Sequence, residues 1–175
     1  FDNGVHMLGS AEPTLQENSL FYDGEYYKVG EGRAVITEDK VSDDTARLRT
    51  MVGIAMELRK EGLCKAEIIL VAGLPFSNYG RDKLKLIDYY SRQGAMDFSY
   101  EGTDYSVKIA KVIVCPQCYS AIASRLGNMK GDYLIVDIGS KTTDVVYVQN
   151  GFPVESKSIT IEKAMVKWMK EIQRD

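Results

Sequence analysis

Residues 134–148 read Leu-Ile-Val-Asp-Ile-Gly-Ser-Lys-Thr-Thr-Asp-Val-Val-Tyr-Val. An apolar strand delivers Asp137 to its end, a Gly139-Ser140-Lys141-Thr142-Thr143 turn follows, and a second, alternating strand leaves through Asp144. Glycine at 139 lets a backbone come close to a bulky anion. Consecutive N–H groups in such a turn, with the hydroxyls of Ser140, Thr142 and Thr143, suit phosphate oxygens. A carboxylate just before the turn suits hydrated magnesium, which keeps several of its waters. The same residues also make an ordinary β-turn with a buried Asp, and the local pattern by itself leaves both readings open.

The chain around this stretch has 175 residues, enough for one domain or one and a half. Hydrophobic residues make up 45%, which excludes wholesale disorder. The net charge is −3, from 22 basic and 25 acidic residues mixed along the sequence without a basic block. Direct, non-specific nucleic-acid binding is therefore not indicated. No apolar run approaches the roughly 20 residues of a membrane span, and no secretory leader is expected. Cys64, Cys115 and Cys118 cannot all pair, so a reducing, cytoplasmic location is expected. The opening at Phe1, in what reads as mid-strand, implies an N-terminal piece outside this sequence.

Leu20-Phe21-Tyr22 and Glu25–Val29 flank Asp23-Gly24, a favoured two-residue hairpin turn. Residues 43–61 carry Leu48, Met51, Val52, Ala55 and Leu58 at helical spacing, with Asp43 or Asp44 as cap and Gly62 as terminator. Residues 66–72 (AEIILVA) predict a central parallel strand buried on both faces. Gly73-Leu74-Pro75 ends it, and a second helix is expected over 82–92 with Leu84, Ile87 and Tyr90 inward. Residues 96–100 and 105–114 flank a turn at 101–104, the second arm passing from an edge into the core through Val112-Ile113-Val114. Gln117–Leu126 predicts a helix ended by Gly127, with 128–131 as a linker. After the strand pair come an Asn150-Gly151 turn, a strand near 154–158, and a helix from Ile161 with Ala164, Met165, Trp168 and Ile172 on one side. Strands and helices alternate, which favours an α/β architecture.

Residues 134–144 resemble the second phosphate motif of the actin/sugar-kinase/DnaK-type ATPase superfamily: an apolar strand, then Asp-Ile-Gly-Ser-x-Thr-Thr-Asp. In order along the chain, Leu20–Arg33, the Asp43-Asp44-Thr45 helix entry, Val71–Pro75 and Cys115–Leu126 resemble ParM/StbA-like bacterial actins. That resemblance implies an RNase-H-like mixed sheet with flanking helices, the actin-like ATPase fold. Residues 1–127 would form the first lobe without its first strand, 128–131 a linker, and 132–175 the start of the second lobe. The family's first phosphate loop and its adenosine motif have no match here, so a parent protein of roughly 300 residues or more is expected.

The resemblance implies Mg-ATP binding and hydrolysis, with positioning and charge stabilisation as the protein's main contributions. Asp137 would hold hydrated Mg2+ or orient water. Gly139, Ser140, Lys141 and Thr142 would surround the β- and γ-phosphates of ATP or ADP, although Lys141 also fits a solvated turn. Thr143 and Asp144 would stiffen the hairpin. Gln117 would orient the attacking water from a helix N-terminus, whose positive end favours phosphate. The resemblance further implies filaments of identical subunits in plasmid segregation, with DNA reached through a DNA-binding adaptor and no membrane partner. Hairpins at 20–29 and 97–105 are candidate contact edges. Half a nucleotide cleft is expected to bind ATP weakly at best.

Two other readings stand beside this one. Cys115-Pro116-Gln117-Cys118, after a strand and opening a helix, is the setting of a thioredoxin-like dithiol. A zinc site has only Cys64 and His6 left to complete it, and the lone His6 reads as structural. An actin-fold assembly module without catalysis is the third possibility.

Overall fold

The structure, a computed structural model, describes residues 3–32, 44–92, 94–119, 122, 124–125, 131–140 and 142–172. Its elements run β1 (Val5–Gly9), β2 (Ser19–Tyr22), β3 (Glu25–Val29), α1 (Asp44–Lys60), β4 (Lys65–Leu74), α2 (Phe76–Ser91), β5 (Ala95–Tyr100) and β6 (Thr103–Pro116). Then follow β7 (Asp132–Ile138), β8 (Thr143–Gln149), β9 (Phe152–Pro153), β10 (Ile159–Ile161) and α3 (Met165–Ile172). The chain packs as two compact units, 1–70 with 88–112, and 71–87 with 113–175.

The first unit is built on local signals that agree with one another. Asp23 and Gly24 both have positive φ (54° and 82°), so the β2–β3 hairpin closes with Tyr22 opposite Glu25. Glu101 and Gly102 (φ 49° and 74°) make the same tight connection between β5 and β6. Helix α1 buries Leu48, Met51, Val52, Ala55 and Leu58, the five residues its spacing predicts. They meet Leu20, Val29, Met96, Phe98, Tyr100, Tyr105 and Val107 from the sheet. Each Leu, Val, Met or Phe among them contributes roughly 1.5–3 kcal/mol by leaving water. Gly62 (φ 68°) ends the helix as expected: its N–H donates to Arg59 O, and Leu63 N–H to Leu58 O.

The larger sheet has the order β1-β3-β2-β5-β6-β4. Ser106 N–H donates to Cys64 O at 2.9 Å and Gln117 N–H to Leu74 O at 2.7 Å, so β4 and β6 advance in the same direction. The sheet is mixed, as the resemblance implies. Both β4 and β6 pass from the first unit into the second, at Leu70/Val71 and Val112/Ile113.

Several expectations need correction. β4 is parallel to β6 but, among the described residues, stands at the end of the sheet, and up to Gly73 its side chains alternate between exposed and half-buried, with Ile69 and Val71 facing out. A run of apolar residues hid that alternation. β6 alternates too, Tyr105 and Val107 buried and then, after a slip of phase at Ala110-Lys111, Val112 and Val114 buried with Ile113 exposed. Helix α2 starts at Phe76, directly after Pro75, six residues before the expected Asp82. Its inward face is Asp82, Leu86 and Tyr90, whereas Leu84 is 75% exposed. The strand expected near 154–158 is a short 3-10 turn at 155–157 between β9 and β10. The hairpins at 20–29 and 97–105 lie inside the sheet order, paired on both sides, so they are not free edges. His6 is structural in kind: its Nε2 lies 3.2 Å from Glu31 O.

The second unit holds an antiparallel sheet ordered β10-β8-β7, with β9 on β8. Val146 and Val148 of β8 pack with Phe76 and Cys118, and with the half-buried Tyr119, Tyr133 and Ile135. Asn150 and Gly151 (φ 52° and 83°) turn the chain from β8 to β9. Of the stripe expected on the last helix, only Ala164 is buried; Met165, Trp168 and Ile172 are exposed. Among the described residues no helix is long and apolar enough to cross a membrane.

Candidate functional site

The hairpin of β7 and β8 runs in full register from Asp132 opposite Gln149 to Ile138 opposite Thr143. Tyr133, Ile135 and Asp137 therefore share one face with Asp144, Val146 and Val148. The inner residues of that face are covered, while Asp137 reaches its open end and is exposed. Leu134, Val136 and Ile138 project from the opposite face, each more than half exposed. The buried Asp of the hairpin is Asp144, not Asp137, and its Oδ1 accepts the Thr160 hydroxyl from β10.

Between the strands the turn is tight. Gly139 N–H donates to Thr142 O at 2.9 Å. A Cβ on Gly139 would stand 3.0 Å from that same oxygen, so glycine is needed for closure of the turn. The N–H of Gly139 is thus engaged within the hairpin, and any anion would be held by later donors of the turn. Ser140 is exposed and Thr142 half-buried; Lys141 lies outside the described residues.

The far side of the turn is tied to α3. Val166 N–H donates to Ser140 O (3.1 Å) and Met165 N–H to Gly139 O (3.4 Å). Thr143 Oγ1 donates to Lys163 O at 2.9 Å, which locks the segment before α3 onto the start of β8. This link between turn and helix was not visible in the sequence, because it depends on two backbone carbonyls rather than on a residue type.

Gln117 follows the end of β6 and is half-buried. It does not open a helix: residues 117–119 form a turn, with Cys118 in the left-handed region (φ 61°) and Tyr119 N–H donating to Gln117 O at 2.7 Å. The expected helix over 117–126 falls partly outside the described residues, and the helix-dipole argument at Gln117 does not hold. The Gln117 side chain instead lies against Gly73, where a Cβ would meet its Cγ at 3.0 Å. Gly73 was noted in the sequence only as a strand breaker; a glycine inside an apolar strand run was the available signal.

The two parts of the site converge on Cys118. Its thiol is pushed up to about 11, by burial first and then by the carboxylates of Asp144 and Asp137. Cys118 packs with Val146 and Val148 of β8, so the turn after Gln117 lies against this hairpin. The dithiol reading gains no support here: Cys118 is buried and its thiol raised, which disfavours the reactive thiolate at that position. Cys115 and Cys118 are both free.

Among the described residues no three His, Cys, Asp or Glu side chains gather to hold a metal ion directly, which also leaves the zinc idea without ligands. A single exposed carboxylate at Asp137 does fit magnesium bound through its own waters.

The family model for the N-terminal domain of actin-like proteins matches residues 5–119. No curated protein matches the chain. Among solved structures, the chain is similar to apo pSK41 ParM (17% identity, TM-score 0.70, 97% of this chain and 61% of that one). It is similar to AlfA from the B. subtilis plasmid pLS32 in its filament (19%, TM-score 0.69, 97% and 67%). It is also similar to the archaeal actin homologue Ta0583 (18%, TM-score 0.73, 97% and 57%), which has been solved with ADP as well. The chain thus spans about three fifths of the length of these relatives, at identities that establish the fold alone. With its mixed sheet and flanking helices the fold is actin-like, and the chain belongs to the actin-like proteins through their N-terminal domain.

Proposed function

We propose that this chain is part of an actin-like ATPase that binds Mg-ATP, polymerises with copies of itself, and hydrolyses the nucleotide to destabilise the polymer. The observation that carries this is the exposed Asp137 beside a closed Gly139–Thr142 turn, and it is supported by Cys118, next to Gln117, packing on Val146 and Val148 of the same hairpin. Ser140, Lys141 and Thr142 would surround the phosphates with Gly139 shaping the turn, and Asp137 would meet magnesium through water. Gln117 would orient the attacking water. With little covalent work to do, such a site acts by positioning and charge.

Assembly is supported by the filaments in which AlfA and Alp12 were solved, AlfA also with AMPPNP bound. On the same reading residues 1–127 belong to a first lobe, 128–131 to a linker and 132–175 to a second. The setting would be the cytoplasm and the task plasmid segregation through a DNA-binding adaptor. Light scattering of the full-length protein tests this: polymer should form with ATP or AMPPNP and persist only with AMPPNP. Polymer that forms without nucleotide and never turns over would instead identify a non-catalytic assembly module.

A further inference from the structure

We infer that Gly73 is a positioning residue for Gln117, an assignment that rests on the proposed role of Gln117 in hydrolysis. Two contacts join them. Gln117 N–H donates to the carbonyl of Leu74, next to Gly73, at 2.7 Å. The Gln117 side chain then lies along the end of β4: a Cβ built on Gly73 would stand 3.0 Å from Cγ, 3.6 Å from Nε2 and 3.8 Å from Cδ. Three atoms of one side chain thus occupy the space that any other residue would fill.

Nothing else about position 73 demands glycine. Its φ is not in the left-handed region, where a side chain would be strained. It lies inside β4, where glycine weakens a strand and marks close approach by another group. An added methyl would strain no torsion; it would push Cγ of Gln117 and rotate the carboxamide away. A displacement of about 1 Å in a group that orients a nucleophile costs roughly 100-fold in rate, so the few tenths of an ångström that Cγ must give here should cost less, on the order of 3- to 10-fold. Gly73 touches no reacting atom on this account. It acts only through the side chain it seats.

A double-mutant cycle in the full-length protein tests this. Gly73→Ala should lower kcat for ATP by about 3- to 10-fold and leave KM for Mg-ATP within about twofold. In a Gln117→Ala background, where the side chain ends at Cβ, the same change should cost less than about twofold. Melting temperatures supply a readout independent of turnover: the drop caused by Gly73→Ala should shrink once Gln117 is alanine. A Gly73→Ala protein that folds only in the Gln117→Ala background supports the contact equally. Additive losses in rate and in melting temperature overturn the assignment while leaving the ATPase reading intact. Absence of Mg-ATP turnover in the unsubstituted protein overturns both.

Discussion

Asp137 and Asp144 stand directly opposite each other across the β7–β8 ladder, one carboxylate exposed and the other buried. Like charges facing across a pair of strands repel, and the fold offsets this by giving Asp144 the Thr160 hydroxyl. That division separates two jobs at one end of the hairpin. Asp144 is held within the structure, and on the proposed reading Asp137 is the carboxylate that serves hydrolysis.

Removing the hydroxyl leaves a buried carboxylate short of a partner. Thr160→Val should destabilise the protein by about 1–3 kcal/mol, read as a lower melting temperature, with nucleotide affinity unchanged. A melting temperature equal to that of the unsubstituted protein contradicts the structural role of Asp144.

The cysteines separate the redox idea from the structure without any nucleotide. Cys64 is exposed, whereas the Cys118 thiol is raised to about 11. At pH 8 its thiolate is about a thousandth of the total, so iodoacetamide should modify Cys64 at least 100-fold faster than Cys118 in the folded protein. Rapid modification of Cys118, or a reversible Cys115–Cys118 disulfide, would contradict this packing.

Glu101 gives the first unit an acid-sensitive anchor. Burial raises the carboxyl, but the Asn18 N–H (2.8 Å) and the Arg59 guanidinium (2.8 Å) outweigh it and hold the carboxyl below the ordinary glutamate value of 4.5. A depressed carboxyl contributes stability that is present above its unfolded value and lost as pH falls through the folded one. The unfolding free energy should therefore decline below about pH 4.5, and Glu101→Gln should flatten that part of the profile. An unchanged slope in the variant would remove Glu101 from the account.

Helix α3 should report what happens at the turn. Its first N–H groups are bound to the carbonyls of Gly139 and Ser140, and it carries Trp168, the chain's single tryptophan. AMPPNP should shift the Trp168 emission in the full-length protein, and Thr143→Ala, which frees Lys163 O, should reduce the shift. Emission that ignores saturating nucleotide would show that turn and helix are not coupled.

Local chemistry made much of the fold legible. Asp23-Gly24, the α1 stripe and Gly62 each carry their geometry in residue type and spacing. The β7–β8 hairpin was legible for the same reason. What failed was phase and covering. Leu84 shares an apolar pattern with Leu86, and only the neighbours of α2 decide which faces inward. The run at 66–72 is mostly apolar, yet among the described residues its strand ends a sheet, because sheet order is set by pairing far along the chain. At the site, Asp137 and the turn were read from the motif. The seat of Gln117 on Gly73 and the Thr160 bond to Asp144 join positions 44 and 16 residues apart, beyond the reach of local pattern.

The central claim is that the open carboxylate at the mouth of the turn serves hydrolysis rather than folding. Asp137→Ala in the full-length protein, followed by ATP turnover and AMPPNP affinity side by side, measures this directly. Turnover should fall by at least about 100-fold while affinity changes by no more than a few fold, because the donors of the turn remain. Equal loss of both, with a lowered melting temperature, would mean that Asp137 supports the hairpin and that the account is wrong.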